Sequence, residues 1–367
     1  MSIQRLERVC ALMRQNKVEA LAINAGPDLK YLTGLDFHLS ERPALLLLSA
    51  EGKAAFVFPE FEQDKASRSA IPVDLFPYPE DAKVWPAAVY HALADLNLIK
   101  IPLSVSPVAM RFLEMDLLRQ AVPETEFISG GNIFCDIYIR KDEQEIRAVR
   151  KALEIAQTAL LETLPFIQPG KTEKAIANQL VINLLNAGCE PELPFSPIVA
   201  GGPNSANPHA NPGDRPLQSG DILIIDWGAR FEGYVSDLSR TFAIGNIPAP
   251  FDEISSIVLS ANQAARARIK PGVVAKDVDV AARDTIIDGG YGKQFLHRTG
   301  HGIGQLPHEE PYISSVSTTF LQPGMLFTIE PGVYLTGIGG VRIEDNVLVT
   351  EGGVETLSDL PRNLVIL

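Results

Sequence analysis

Cysteine is scarce in this chain, with three among 367 residues, at Cys10, Cys135 and Cys189. Their odd number and wide separation offer neither a disulfide framework nor a CxxC metal site. They are read as small core residues of a protein folding in a reducing cytoplasm. Long apolar runs are lacking as well. The longest, such as Ala44 to Leu48, fall far short of the ~20 residues that cross a bilayer. The first twenty residues carry charges throughout, without the apolar stretch of a secretory signal. An excess of basic residues is also absent. The net charge of −13 argues against nucleic acid or an anionic membrane surface as a partner. The rest of the composition, 46% hydrophobic and 21% charged, is that of a globular chain long enough for two or three domains.

The amino-terminal part reads as α/β. Leu6, Val9, Cys10 and Met13 recur at helical spacing, and VEALAINA, PALLLLS and KAAFVF read as strands, the last two joined by a turn at Glu51-Gly52. The segments FPYPEDAKVWP and IPLSVSPVAM read as loops or sheet edges because of their prolines. Nothing from Met1 to about Phe127 groups histidines with acids. The pattern breaks at SGGN, which places a boundary between an amino-terminal domain, 1–130, and a second domain, 131–367. Beyond it, Ile146, Val149, Leu153, Ala156 and Leu160 mark one face of a long helix with acids in its first turn.

The second domain contains a duplication. LQSGDILIID, ending on Asp226, and LQPGMLFTIE, ending on Glu330, align without a gap. IQPG at Ile167 recurs as IKPG at Ile269, each followed by a helical run that closes at Gly188 or Gly290. A period near one hundred residues is too long for a solenoid and implies two halves of one domain. Each half offers a hairpin with two acids, Asp226 with Asp237 and Glu330 with Glu344. A short turn would bring Asp226 and Asp237, eleven apart, side by side.

A carboxylate ending a run such as ILIID or LFTIE sits among buried residues and needs a cation or hydrogen-bond donors. Two acidic hairpins facing each other cannot neutralise themselves. Four carboxylates with one imidazole, His301 in GHGIG, suit Mn, Co, Zn or Fe(II) better than a thiolate-loving ion. Two divalent ions would balance four acids and clamp both oxygens of a hydrolytic transition state. The glycines around His301 are expected to let the backbone approach a ligand. Val341 and Ile343 alternate with Arg342 and Glu344, putting the last two on one face. His209, His297 and His308 would oversupply nitrogen as ligands and are read as groups beside the metal or the substrate.

The motifs NSANPHANPGDR, DWGARFEGYVSDLSRTF, HRTGHGIGQLPHEE, TIEPGVY and GVRIED follow one another between Asn204 and Asp345. In that order they resemble the motif set of the Xaa-Pro peptidases of the pita-bread fold, prolidase and aminopeptidase P, with their relative creatinase. The resemblance implies an α/β (α+β) protein in which a small creatinase-like domain precedes a pita-bread catalytic domain with pseudo-two-fold halves. It implies two divalent ions, with Asp226 chelating one, Asp237 bridging, and His301, Glu330 and Glu344 completing the set. It further implies cleavage of the Xaa-Pro bond of short proline-containing peptides, with His209, His308 and Glu330 as catalytic groups and His297 and Arg342 on the substrate. A cytoplasmic homodimer is the implied state. Gln305 and Pro307 replace residues that are commonly apolar in the family, and are expected to alter the pocket wall.

Prolidase-type dipeptide cleavage is the favoured expectation, and aminopeptidase action on longer peptides the alternative. A methionine aminopeptidase would lack the amino-terminal domain. A creatinase-like amidinohydrolase or a non-catalytic pita-bread binding protein would lack several of the five ligands, all of which are present here.

Overall fold

The computed structural model describes residues 2–367, and the chain divides between Ile137 and Tyr138 into two compact units. The first unit is built on one six-stranded sheet. Its strands are β1 (Ala20–Asn24), β2 (Leu45–Ser49), β3 (Ala54–Pro59), β4 (Asp74–Tyr78), β5 (Leu103–Val105) and β6 (Phe127–Ser129), in the order β4-β3-β2-β1-β5-β6. Strands β1 to β3 are buried along their whole length, which is why they read as continuous apolar runs. Helix Ser2–Gln15 buries Leu6, Val9, Cys10 and Met13 as its spacing requires.

Two expectations are corrected here. IPLSVSPVAM contributes β5, an interior strand paired in parallel with both β1 and β6. Its three residues lie between Pro102 and Pro107 and are too few for a periodic signal. FPYPEDAKVWP begins with Phe76, Pro77 and Tyr78, the last three residues of the edge strand β4. Cys10 and Cys189 are buried, but Cys135 is exposed and is not a core residue.

The second unit contains the duplication. In its first half β7 (Ile198–Gly201), β8 (Ile222–Trp227) and β11 (Leu238–Ala243) form an antiparallel sheet. A two-stranded ribbon, β9 (Arg230–Phe231) with β10 (Tyr234–Val235), rises between β8 and β11. In its second half β12 (Gly300–Gly302), β13 (Glu309–Ile313), β14 (Leu326–Ile329) and β17 (Asp345–Thr350) form the matching sheet. The ribbon β15 (Gly332–Leu335) with β16 (Gly339–Arg342) again rises between the two central strands.

The halves agree in detail. Gly170 N donates to Leu217 O at 2.8 Å, and Gly272 N to Leu321 O at 2.8 Å. Gly170, Gly188 and Gly220 take positive φ of 90°, 100° and 90°, and Gly272, Gly290 and Gly324 take 84°, 87° and 88°. These are the left-handed turn positions that glycine occupies without strain, so the repeat is one of backbone conformation as well as of sequence. A β-bridge between Ser239 and Glu344 joins the two sheets at their centre.

Each half is backed by a helix pair. Helices Glu143–Thr163 and Glu173–Asn186 pack with Leu223, Ile225 and Trp227 in one core, while Phe251–Arg268 and Ala275–Asp288 pack with Phe327 and Ile329 in the other. Asp142 and Glu145 form a reciprocal capping box at the start of the first helix. Trp227, fully buried, donates its indole N–H to Ala156 O at 2.8 Å, tying the end of β8 to that helix. No helix among the described residues is long and apolar enough to cross a membrane.

Candidate metal centre

The five expected ligands stand where the central strands meet their ribbons. Asp226 lies in β8, Asp237 just before β11, His301 in β12, Glu330 just after β14 and Glu344 just before β17. All five line one cavity of about 620 Å³. The register of the first hairpin differs from the side-by-side expectation: Asp226 pairs with Ser239, and Trp227 with Leu238, so Asp237 stands diagonal to Asp226. The intervening β9–β10 ribbon accounts for the offset. Its turn, Glu232-Gly233, has positive φ at both residues, 50° and 79°, which suits a two-residue hairpin.

His301 Nδ1 lies 3.1 Å from Gly302 O. A carbonyl only accepts, so Nδ1 carries the proton and Nε2 turns its lone pair toward the acids. Nε2 is 3.3 Å from Glu330 Oε1 and 3.7 Å from Asp237 Oδ2. Burial, followed by His308, drives the His301 pKa down to about 3, so the ring is neutral and free to ligate. The glycines beside His301 are required by the neighbouring strands. A Cβ at Gly300 would run into the Thr328 carbonyl oxygen, and one at Gly302 into that of Glu310. Close strand packing excludes a side chain there.

The acids are held in a state that favours a cation. Burial, then Glu344, Asp226 and Glu330, pushes Asp237 well above the carboxylate range. Glu344 is raised in the same way by burial, Glu330 and Asp226. Glu330 is pushed up to about 7, chiefly by burial. Asp226 Oδ1 is buried with no hydrogen-bond partner, while Oδ2 accepts from Arg342 Nη2 at 2.6 Å. Asp237, His301 and Glu344 each offer a ligand atom within 4.8 Å of the others. An orphaned carboxylate oxygen, mutually repelling acids and a neutral imidazole form a hard oxygen–nitrogen donor set that fits a divalent cation.

Around the acids lies a layer that the sequence reading only partly named. Arg342 is buried and donates to Ser239 Oγ (2.8 Å), Tyr334 OH (2.9 Å), Pro208 O (3.3 Å) and Asp226. Although Arg342 and Glu344 were expected on one face, the carboxylate bound by Arg342 is that of Asp226. Ser239 donates to Glu344 Oε2 at 2.8 Å. Behind Glu344, Arg240 donates to the carbonyls of Ser239 and Glu344 and to Asp345 Oδ1, fixing the backbone from which Glu344 projects. Asp345 also accepts from Asn262, Ser358 and Arg362.

The three remaining histidines border the same cavity. The His308 ring meets the His301 ring edge-on at 4.1 Å. His209 is exposed, on the loop that follows β7. His297 is engaged at both nitrogens, donating from Nδ1 to Arg298 O (2.8 Å) and accepting at Nε2 from Tyr334 OH (2.9 Å). Pro307 lines the cavity as expected, but Gln305 does not. It is buried and donates to Tyr234 OH at 3.2 Å, so it fills the protein interior instead of the pocket wall.

Arg298 escaped the sequence reading. It lines the cavity with its guanidinium 4.3 Å from the Tyr312 ring and, among the described residues, makes no hydrogen bond or ion pair. Its place next to His297 was the available signal. Ser239 and Arg240, inside the motif DLSRTF, carried no signal beyond the motif itself.

A duplicated β-ribbon unit with a histidine and four acids converging in one cavity defines a metal-dependent hydrolase of the pita-bread class. The chain belongs to metallopeptidase family M24, whose model matches residues 147–351, and a creatinase/prolidase amino-terminal domain matches residues 5–137. It is 34% identical over 363 residues to an Xaa-Pro dipeptidase from Pyrococcus horikoshii, covering 99% of each chain. Among solved structures it resembles a prolidase from Thermococcus sibiricus (TM-score 0.94, 30% identity, 100% of this chain and 99% of that one). An X-Pro aminopeptidase from Thermotoga maritima is also similar (TM-score 0.86, 31% identity, 99% of each chain).

Proposed function

We propose that this metallopeptidase is an Xaa-Pro dipeptidase of the prolidase type, acting on short proline-containing peptides. In this reading residues 131–367 form the catalytic domain and 1–130 the amino-terminal domain of a cytoplasmic homodimer. Asp226, Asp237, His301, Glu330 and Glu344 would hold two divalent ions, with Mn, Co or Zn as the suitable metals. Bound there, the ions supply Lewis-acid polarisation of the scissile carbonyl and activation of water.

The chain's own groups have distinct tasks. Glu330, beside His301 on the cavity wall, takes the proton from the attacking water and passes it to the leaving proline nitrogen. His308 hydrogen-bonds the substrate beside the scissile carbonyl and helps offset charge on the oxyanion. His209 approaches from the opposite wall. His297 and Arg342 border the substrate, and Arg342 also holds Asp226 in place. Proline makes its amide tertiary and fixes its ring, so a pocket shaped to that ring specialises the enzyme.

The observation that carries the dipeptide reading is Arg298. An unpaired guanidinium on the wall of an acidic cavity matches the carboxylate that a dipeptide carries on its proline, where a longer peptide has a neutral amide. The decisive assay compares Ala-Pro with Ala-Pro-Ala after metal removal and add-back of Mn, Co or Zn. Cleavage of Ala-Pro alone is expected. Cleavage of Ala-Pro-Ala with Ala-Pro untouched would transfer the protein to the aminopeptidases. Asp237→Ala or Glu330→Ala abolishes the metal-dependent turnover, and near-normal rates in either would refute the ligand set.

A further inference from the structure

The loop between β7 and β8 forms one wall of the cavity through Pro208, His209, Ala210 and Asn211. Its one helix among the described residues is the five-residue 3-10 helix Gly202–Ala206, and His209 beyond it is exposed, so the position of that part needs a restraint from elsewhere. That restraint converges on one buried carboxylate. Glu173, 1% exposed, is the first residue of helix Glu173–Asn186. Its Oε1 accepts from Gly201 N at 2.6 Å. Its Oε2 accepts from Gly213 N at 2.7 Å and from Asn204 Nδ2 at 2.8 Å. One side chain thus binds both ends of the loop and its interior.

Glu173 forms no ion pair among the described residues, and every hydrogen bond to its buried carboxylate comes from a neutral N–H group. Such an arrangement costs too much to survive unless every donor stays in place. The far side of the loop is held by the second half of the domain, where Gly340 N donates to Ser205 Oγ at 3.0 Å and Arg342 Nη1 to Pro208 O at 3.3 Å. The repeat-related helix Ala275–Asp288 uses a similar device. Buried Asp279, there paired with Arg283, accepts from both N and Oγ1 of Thr299, between His297 and His301.

We propose that Glu173 is a positioning residue for substrate: its carboxylate clamps loop 202–212 so that His209 and its neighbours present a fixed wall to the bound peptide. Glu173 touches no ligand and no reacting atom, so the clamp governs substrate affinity and leaves the metal centre alone. This rests on the peptidase reading above, but its structural part can be tested separately.

The test uses the full-length, Mn-loaded protein with Glu173→Gln and Asn204→Ala. The first sets an amide N–H against one of the three donors, and the second deletes a single partner on a half-buried residue. Expected for Glu173→Gln is a rise in KM for Ala-Pro of about tenfold with kcat nearly unchanged. Faster amide hydrogen exchange confined to 201–213 and unaltered Mn uptake should accompany it. Asn204→Ala should move KM and exchange in the same direction by less, and it stands in if Glu173→Gln fails to fold. An unchanged KM in both variants overturns the proposal, as does a loss of Mn uptake or an equal fall in kcat and kcat/KM, which would mark Glu173 as general scaffolding. Failure of the wild-type protein to cleave Ala-Pro would sink the peptidase reading, while the exchange measurement would still decide whether the clamp exists.

Discussion

Glu330→Gln should stabilise the metal-free protein, and should do so more strongly as the pH rises. Glu330 is pushed from the ordinary 4.5 to about 7, with burial the largest cause, and its side chain is only 15% exposed. A folded-state pKa above the unfolded value means the favourable contribution is fully present below about 4.5 and is lost as the pH climbs through 7. Integrating that gap gives a penalty of about 1 kcal/mol at pH 5, rising to about 3 kcal/mol at pH 8. Gln has nearly the same shape and never ionises, so it escapes the penalty. For a unit of this size the gain at pH 8 corresponds to a melting temperature higher by several degrees. Thermal melts of chelator-treated wild-type and Glu330→Gln protein at pH 5 and pH 8 measure this directly. Added Mn should reverse the ranking, because the wild-type carboxylate then has its cation and the amide does not. A variant no more stable than wild type at pH 8 without metal would refute the claim that these acids are strained by burial and one another.

Three further outcomes follow from the same geometry. Arg298→Gln should raise KM for Ala-Pro by about tenfold or more, the loss of a charge-assisted contact, without harming turnover of a peptide that lacks a nearby carboxylate. Steady-state kinetics on Ala-Pro and its amide check this. Gly300→Ala should destabilise the protein by about 1–3 kcal/mol or more, because its Cβ meets the Thr328 carbonyl oxygen. Metal titration should then show weaker binding as His301 is displaced. Arg240→Met should cost about 3–5 kcal/mol in denaturant unfolding, since it leaves Asp345 short of a buried partner and frees the Glu344 carbonyl. An effect below 1 kcal/mol would show that Asn262, Ser358 and Arg362 suffice.

Much of the fold was legible because its signals are local. The spacing of Leu6, Val9, Cys10 and Met13, the buried runs of β1 to β3, and the capping acids of helix Glu143–Thr163 all act within a few residues. Strand β5 was missed because three residues between two prolines hold no period, and its membership of the sheet depends on partners eighty residues back and two dozen ahead. Cys135 was misplaced because nothing local distinguishes an exposed helical cysteine from a buried one.

What the sequence determined by itself is the identity of the donors: the ungapped match of ILIID with LFTIE and the GHGIG motif single out the acids and the histidine that the cavity gathers. Residue chemistry and repeat both survive in one dimension. What tertiary structure alone decided is how those donors are held. The diagonal of Asp226 and Asp237 comes from an inserted ribbon, the partner of Arg342 from a contact across 116 residues, and the place of Arg298 from its packing against the Tyr312 ring. The first and last depend on how segments within one half pack, and the Arg342 contact on the meeting of the two halves, so no simple spacing along the chain encodes them.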